Sequence, residues 1–236
     1  MNKIAKELNK LKNIEKAKIL QGFFKTAKGE YGEGDIFLGI TVPQTRNVAR
    51  NNLNSSFEDL QKLLNNKIHE YRLTSLIILV EKYKEASNKE KKEIYNFYIK
   101  NFKNINNWDL VDLSAPKIIG DYIFHNKNLE KKLVTWANSK HLWTKRIAIV
   151  STHYFIKKNN FKNTLKIAKI LLSDNHDLIH KAIGWMLREV GKKDEKVLKK
   201  FLDENIKKMP RTTLRYAIER FFEKQRKQYL NKKICK

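Results

Sequence analysis

Leu171-Leu-Ser-Asp-Asn-His-Asp-Leu-Ile-His-Lys-Ala182 reads as the end of one helix, a polar turn, and a second helix opened by a basic residue. Three other segments share the plan. They are Leu63-Leu-Asn-Asn66 before Tyr71-Arg-Leu73, Trp136-Ala-Asn-Ser139 before Lys145-Arg-Ile147, and Phe201-Leu-Asp-Glu204 before Leu214-Arg-Tyr216. Arg72 to Arg146 is 74 residues, two steps of 37; Arg146 to Lys181 is 35, and Lys181 to Arg215 is 34. The missing step lands on Asp109, inside Trp108-Asp-Leu-Val-Asp112, where an aromatic and two carboxylates stand in place of a cation.

Between these points apolar residues recur at helical spacing: Phe57, Leu60, Leu63 and Leu64; Leu73, Leu76, Ile77 and Val80; Ile94, Phe97, Tyr98 and Phe102. Asn and Ser punctuate them at Asn54-Ser-Ser56, Ser87-Asn88, Asn159-Asn160 and Ser173-Asp-Asn175, all suitable helix caps. A repeat of 34 to 37 residues built from helix pairs predicts an all-α, HEAT-like helical-repeat solenoid, one domain over 1–236, whose stacked inner helices make a concave face. A cation at the same point of successive inner helices would make that face basic. Alternatively, each one decorates a solvated surface.

The chain has 50 Lys and Arg against 25 Asp and Glu, a formal charge of +25. Such an excess points to a polyanion, although a general drift toward Lys, Asn and Ile would inflate it without any binding role. The nine arginines therefore say more than the lysines, because the guanidinium fork binds oxyanions bidentately. The lone Cys235 forms no internal disulfide, and no Cys/His cluster has metal-ligand spacing, so neither structural zinc nor any other metal or cofactor is expected. The first residues lack an apolar signal-peptide core, and no later run reaches spanning length, which together predict a cytoplasmic monomer with no membrane partner.

Asn107 can cap a helix running from Trp108 toward Pro116, with Asp109 at its positive end. Trp108 and Asp112 fall on one face, opposite Leu110 and Leu113, so the pair should face outward; a Trp packed on a neighbouring helix beside a solvated Asp is the plainer reading. In Lys181-Ala-Ile-Gly-Trp-Met-Leu-Arg-Glu-Val190, residues Ala182, Ile183, Met186, Leu187 and Val190 form the apolar stripe. Trp185 is left among Lys181, Arg188 and Lys192, and Gly184 could let a partner approach. Arg146 flanks an apolar stripe and could clamp a phosphate, while Trp143 suits the core. From Gly191 onward 16 basic residues face 6 acidic ones, among them Arg211 and Arg215, giving a salt-sensitive contact to nucleic acid. The glycines of Tyr31-Gly-Glu-Gly-Asp35 and Gly39 lack a phosphate-loop ending and read as a turn before a helix opened by Pro43. No histidine sits in a nucleophile motif.

These residues together resemble the bacterial DNA alkylation repair family of AlkD-like glycosylases. The likeness is carried by Tyr31-Gly-Glu-Gly-Asp35 with Phe37-Leu-Gly39, Val42-Pro-Gln-Thr-Arg46, Trp108–Asp112, Leu142-Trp-Thr-Lys-Arg146, Lys181–Glu189 and Met209–Ile218. It implies a solenoid that holds duplex DNA and excises cationic N3- and N7-alkylated purines without turning the base into a deep pocket. Carried over residue by residue, it implies functional roles for Trp108, Asp112, Arg146 and Trp185. Asn107 stands where some members place a second tryptophan. A non-catalytic HEAT-like module that reads DNA or structured RNA by shape is the alternative, and a protein-interaction scaffold is a third possibility disfavoured by the charge.

Overall fold

The computed structural model describes residues 3–232; Cys235 lies outside them. The described residues fold into α1 (Lys3–Asn9), α2 (Ile14–Phe23), α3 (Val42–Arg50), α4 (Phe57–Leu64), α5 (His69–Glu85), α6 (Asn88–Lys100), α7 (Trp108–Ala115), α8 (Asp121–His125), α9 (Glu130–Ala137), α10 (Leu142–Lys157), α11 (Lys162–Leu171), α12 (Asp177–Lys193), α13 (Glu195–Asn205), α14 (Arg211–Ala217) and α15 (Glu223–Asn231). The expected all-helical class holds. Among the described residues no helix is long and apolar enough to cross a membrane. The chain divides into two compact units, Met1–Ser114 and Ala115–Lys236.

In the first unit α5 packs against α1, α3, α4 and α6. Every residue from His69 to Val80 is buried, so this helix is enclosed on all sides rather than amphipathic. Its polar side chains must therefore find partners inside the protein. Thr74 Oγ1 donates to the Glu70 carbonyl at 2.7 Å and Ser75 Oγ to the Leu60 carbonyl at 3.1 Å. Leu60, Leu63 and Leu64 supply the facing apolar stripe of α4, which Ser56 caps by accepting from the Asp59 N–H at 3.1 Å. The glycine-rich segment is a turn, as its composition requires; Gly29, Gly34 and Gly39 take φ of +82, +84 and +83°. It leads into α3 through a capping box between Thr41 and Gln44.

In the second unit α10 packs on α9, α11 and α12, and α12 on α13 and α14, which is the pairing the repeat predicts. The second helices of the pairs begin at Leu142, Asp177 and Arg211, so the repeated cations Arg146, Lys181 and Arg215 are the fifth residue of each. The register corrects the expectation for the exceptional segment: α7 begins at Trp108, so its fifth residue is Asp112, not Asp109. Arg72 is the fourth residue of α5 and does not share the register of the others. Pro116 does not end the helical path. A π-helical turn over Pro116–Gly120 carries it into α8, and the looser turn tolerates the N–H that proline lacks. One cap also differs from expectation. After Ser173-Asp174, the cap of α12 is His176, whose Nδ1 accepts from the Leu178 N–H at 3.1 Å.

Ala182, Ile183, Met186, Leu187 and Val190 are all fully buried, as their spacing requires, and Trp143 is core. Gly184 serves a different purpose from the one its neighbourhood suggests. A Cβ there would lie 2.4 Å from Tyr216 Cβ and 2.7 Å from the Thr213 carbonyl oxygen, so the close approach is that of α14. Alanine would gain about 1 kcal/mol of helix propensity, but overpacking against fixed backbone costs about 1–3 kcal/mol. Gly184→Ala should thus lower stability by up to about 2 kcal/mol, read from the urea midpoint; a raised midpoint would contradict this packing.

Candidate functional site

The exceptional helix α7 is positioned by a set of buried charges. His69, the first residue of α5, has a side chain 2% exposed, and both its ring nitrogens face carboxylates: Nδ1 lies 3.2 Å from Asp35 Oδ2 and Nε2 lies 2.7 Å from Asp109 Oδ2. Arg72, one turn along, places Nη2 2.6 Å from the same Asp35 oxygen and donates from Nη1 to Asn106 Oδ1 at 2.7 Å. Asp109 is therefore more than a helix-start residue. Burial opposes the charged form of His69, but Asp109 and Asp35 outweigh it and hold its pKa at about 9. Burial likewise opposes ionisation of Asp35, while His69 and Arg72 bring its pKa below the usual carboxylate value.

The neighbouring Glu70 is 2% exposed and receives three backbone N–H groups, from Leu38 at 2.9 Å, Gly39 at 2.8 Å and Ile40 at 3.2 Å. That cradle fixes the loop that carries Phe37. Phe37 stacks on the His69 ring with centroids 4.5 Å apart. Phe24 follows at 5.0 Å from Phe37, and Trp108 stacks on Phe24 at 5.3 Å with planes 15° apart. Phe23 meets Trp108 edge-on at 6.1 Å and is itself 62% exposed.

Trp108 and Asp112 are both half-buried on α7. The expected outward face is thus corrected for Trp108, one side of whose ring is covered by Phe24. Leu113, expected in the core, is also half-buried, and the inward line is Leu110, Val111, Ser114 and Ala115. Asn107 accepts from the Trp108 N–H through Oδ1 at 2.8 Å and is fully buried, so it caps α7 from inside.

The other expected site residues belong to the second unit. Arg146 is buried, 5% exposed, and donates from Nη1 to the Leu178 carbonyl at 2.6 Å, so it is part of the α10–α12 packing rather than a surface cation. Trp185 is half-buried beside His153, with ring centroids 5.6 Å apart. Lys181 pairs with Asp177 at 2.7 Å, Lys192 with Glu189 at 2.8 Å, and Arg188 with Glu219. Arg211 donates to the Leu230 carbonyl at 2.6 Å, and Arg215 is exposed. The single row of equivalent solvent-facing cations is therefore not observed: Arg72 and Arg146 are internal, and only Arg215 is fully at the surface.

Against known proteins, a model of DNA alkylation repair enzymes matches residues 4–221. The chain belongs to that family. In fold it is similar to a predicted DNA alkylation repair enzyme from Enterococcus faecalis, with a TM-score of 0.70 at 17% identity over 90% of this chain and 97% of that one. It is also similar to AlkD2 from Streptococcus mutans, with a TM-score of 0.57 at 16% identity over 89% and 98%. No curated protein matches the sequence.

Sequence reading missed His69, Asp35 and Glu70. The available signal was a His-Glu pair opening a helix that runs into the apolar stretch Leu76-Ile-Ile-Leu-Val80, where a buried polar residue demands a partner. His69 has a raised pKa, so its contribution is complete below pH 6.5 or so and is lost as pH climbs through about 9. At about 1.4 kcal/mol for each pH unit, the loss is on the order of 3 kcal/mol at most. The denaturation midpoint should fall between pH 7 and 9.5. In Asp109→Asn the fall should be smaller and end at lower pH, and identical profiles for the two proteins would contradict the ion pair.

Proposed function

We propose that this alkylation repair enzyme is a DNA glycosylase that hydrolyses the N-glycosidic bond of cationic N3- or N7-alkylated purines in duplex DNA. The observation that carries the reading is the pairing on α7 of a half-buried tryptophan, backed by Phe24, with a half-buried aspartate one turn later. Trp108 offers a rigid aromatic surface to a cationic base or sugar, a contact contributing about 0.5–2 kcal/mol. Asp112 supplies the negative charge.

Glycoside hydrolysis ordinarily takes two carboxyl groups, one of them to protonate the leaving group. A purine alkylated at N3 or N7 already carries a positive charge and departs without a proton. The enzyme then has only to stabilise the oxocarbenium-like sugar and direct a water to it. A carboxylate about 4 Å from that cation contributes on the order of 4 kcal/mol at an effective dielectric near 20, about a thousandfold in rate. Asp109 is paired with His69, and Asp112 is the carboxylate four residues after Trp108, on the same face of α7.

In the second unit, Trp185 and Arg146 would contribute contacts to the DNA, the Arg146 guanidinium to phosphate. Lys181, Arg188, Lys192, Arg211 and Arg215 would supply salt-sensitive affinity without base readout. No cofactor or metal enters the reaction, and a monomer in the cytoplasm suffices for it.

The decisive measurement is release of free base from duplex DNA containing N7-methylguanine. The native chain should release it, and Asp112→Asn should slow release about a thousandfold with duplex affinity little changed. Tight binding of the duplex with no base released by the native chain would favour a non-catalytic binding module instead.

A further inference from the structure

The chemistry proposed for α7 depends on where its first turn is held, and the contacts that hold it converge on one side chain. His69 reaches that turn by two routes. Its Nε2 bonds Asp109, the residue after Trp108, and its ring packs 5.1 Å from Phe24, the residue on which Trp108 stacks. Arg72 ties down the preceding segment through Asn106 and shares Asp35 with His69. We propose that His69 is a positioning residue for the alkylated-base site: its ring, donating to Asp35 and Asp109 at once, sets the first turn of α7 and so the placing of the Trp108 indole. This rests on the glycosylase reading for its consequence in catalysis, but not for its structural content.

The argument stands on hydrogen-bond stoichiometry. Carboxylates only accept, and a ring flanked by one at each nitrogen satisfies both only when both nitrogens carry hydrogen. Removing the proton leaves one buried carboxylate facing a lone pair, and an unpaired buried charge is strongly unfavourable. Asp35 keeps Arg72 as a partner. Asp109 has its other oxygen buried without a hydrogen-bond partner, so Asp109 is the one that must move. The charged groups facing the ring are Asp35 from the loop, Asp109 from α7, and Arg72 and Glu70 on its own helix; Lys16 of α2 lines the cleft that His69 and Glu70 also line. Glu70 is occupied by its three backbone donors.

The test uses the full chain with its four tryptophans replaced by 5-fluorotryptophan, the Trp108 fluorine resonance being assigned with Trp108→Phe. Between pH 6.5 and 9.5 that resonance should shift with a midpoint near 9. In His69→Gln it should sit at a displaced position and not titrate. Asp109→Asn, which preserves shape should the histidine variant fail to fold, should move the midpoint to lower pH. A Trp108 resonance that is flat in the native chain, or titrates identically in either variant, overturns the proposal. Base release from N7-methylguanine duplex, followed in parallel, should decline at least tenfold over the same pH range in the native chain and be low and pH-independent in His69→Gln. If the resonance titrates as expected but no base is released at any pH, the positioning role stands and the glycosylase reading falls. Base release with a flat resonance leaves the glycosylase and removes His69.

Discussion

The first unit is organised by the need to ionise and bury a histidine and an arginine in the same helix. From His69 to Val80 every side chain of α5 is enclosed, and among them are Glu70 and Arg72 as well as His69. Charges in such a place are tolerated only with complementary partners and satisfied hydrogen bonds. The partners come from distant parts of the chain: Asp35 from the glycine-rich turn, Asp109 from α7, and the Leu38–Ile40 amides from the loop before α3. Apolar packing alone would hold these segments near α5 without a defined register. The ion pairs select one arrangement, because a shift of any segment leaves another charge uncompensated.

That constraint separates the two carboxylates of α7. Asp109 and Asp112 lie three residues apart, on adjacent parts of the helix surface, and sequence spacing alone does not distinguish their roles. Asp109 is drawn inward by His69, while Asp112 takes the fifth position of the helix, where α10, α12 and α14 carry Arg146, Lys181 and Arg215. One place in the repeat has thus exchanged a cation for an anion. A carboxylate suits a developing sugar cation, and cations suit phosphates, so the exchange is in keeping with the proposed glycosylase, which would have to treat the backbone and the reacting carbon oppositely.

Much of this was legible in the sequence. The helices, their pairing, the apolar stripe of α12 and the core Trp143 follow from spacing, since local periodicity is imposed by helix geometry itself. Asp112 and Trp108 stood out as the interruption of a repeat. Counting steps of 37 nevertheless pointed to Asp109, because the starts of α5 and α7 are His69 and Trp108, whereas those of the later second helices fall 34 or 35 residues apart. What spacing does not encode is partnership at long range. Phe24 covers Trp108 from 84 positions away and Asp35 meets His69 from 34. Arg146 carries the same charge whether it faces solvent or, as here, a buried carbonyl. Gly184 shows the same limit: its absence of a side chain was read as room for a partner, and what approaches is α14 of its own unit.

The pairing of cations within the second unit bears on how the net charge can act. Lys181, Lys192 and Arg188 each have an acidic partner, which at first sight removes them from phosphate binding. Exposed ion pairs are worth only about 0–1 kcal/mol, however, less than a charge-assisted bond to phosphate of about 1.5–3 kcal/mol, so exchange of partner is favourable for a side chain that can reach. Were every one of the 25 acidic residues paired with a base, half of the 50 basic residues would still be uncompensated. The attraction to a polyanion therefore does not require the ordered row of cations that the repeat first suggested. It arises from the excess itself and carries no base readout, so under the proposed function discrimination of damaged from undamaged DNA would have to come from the chemistry at Trp108 and Asp112.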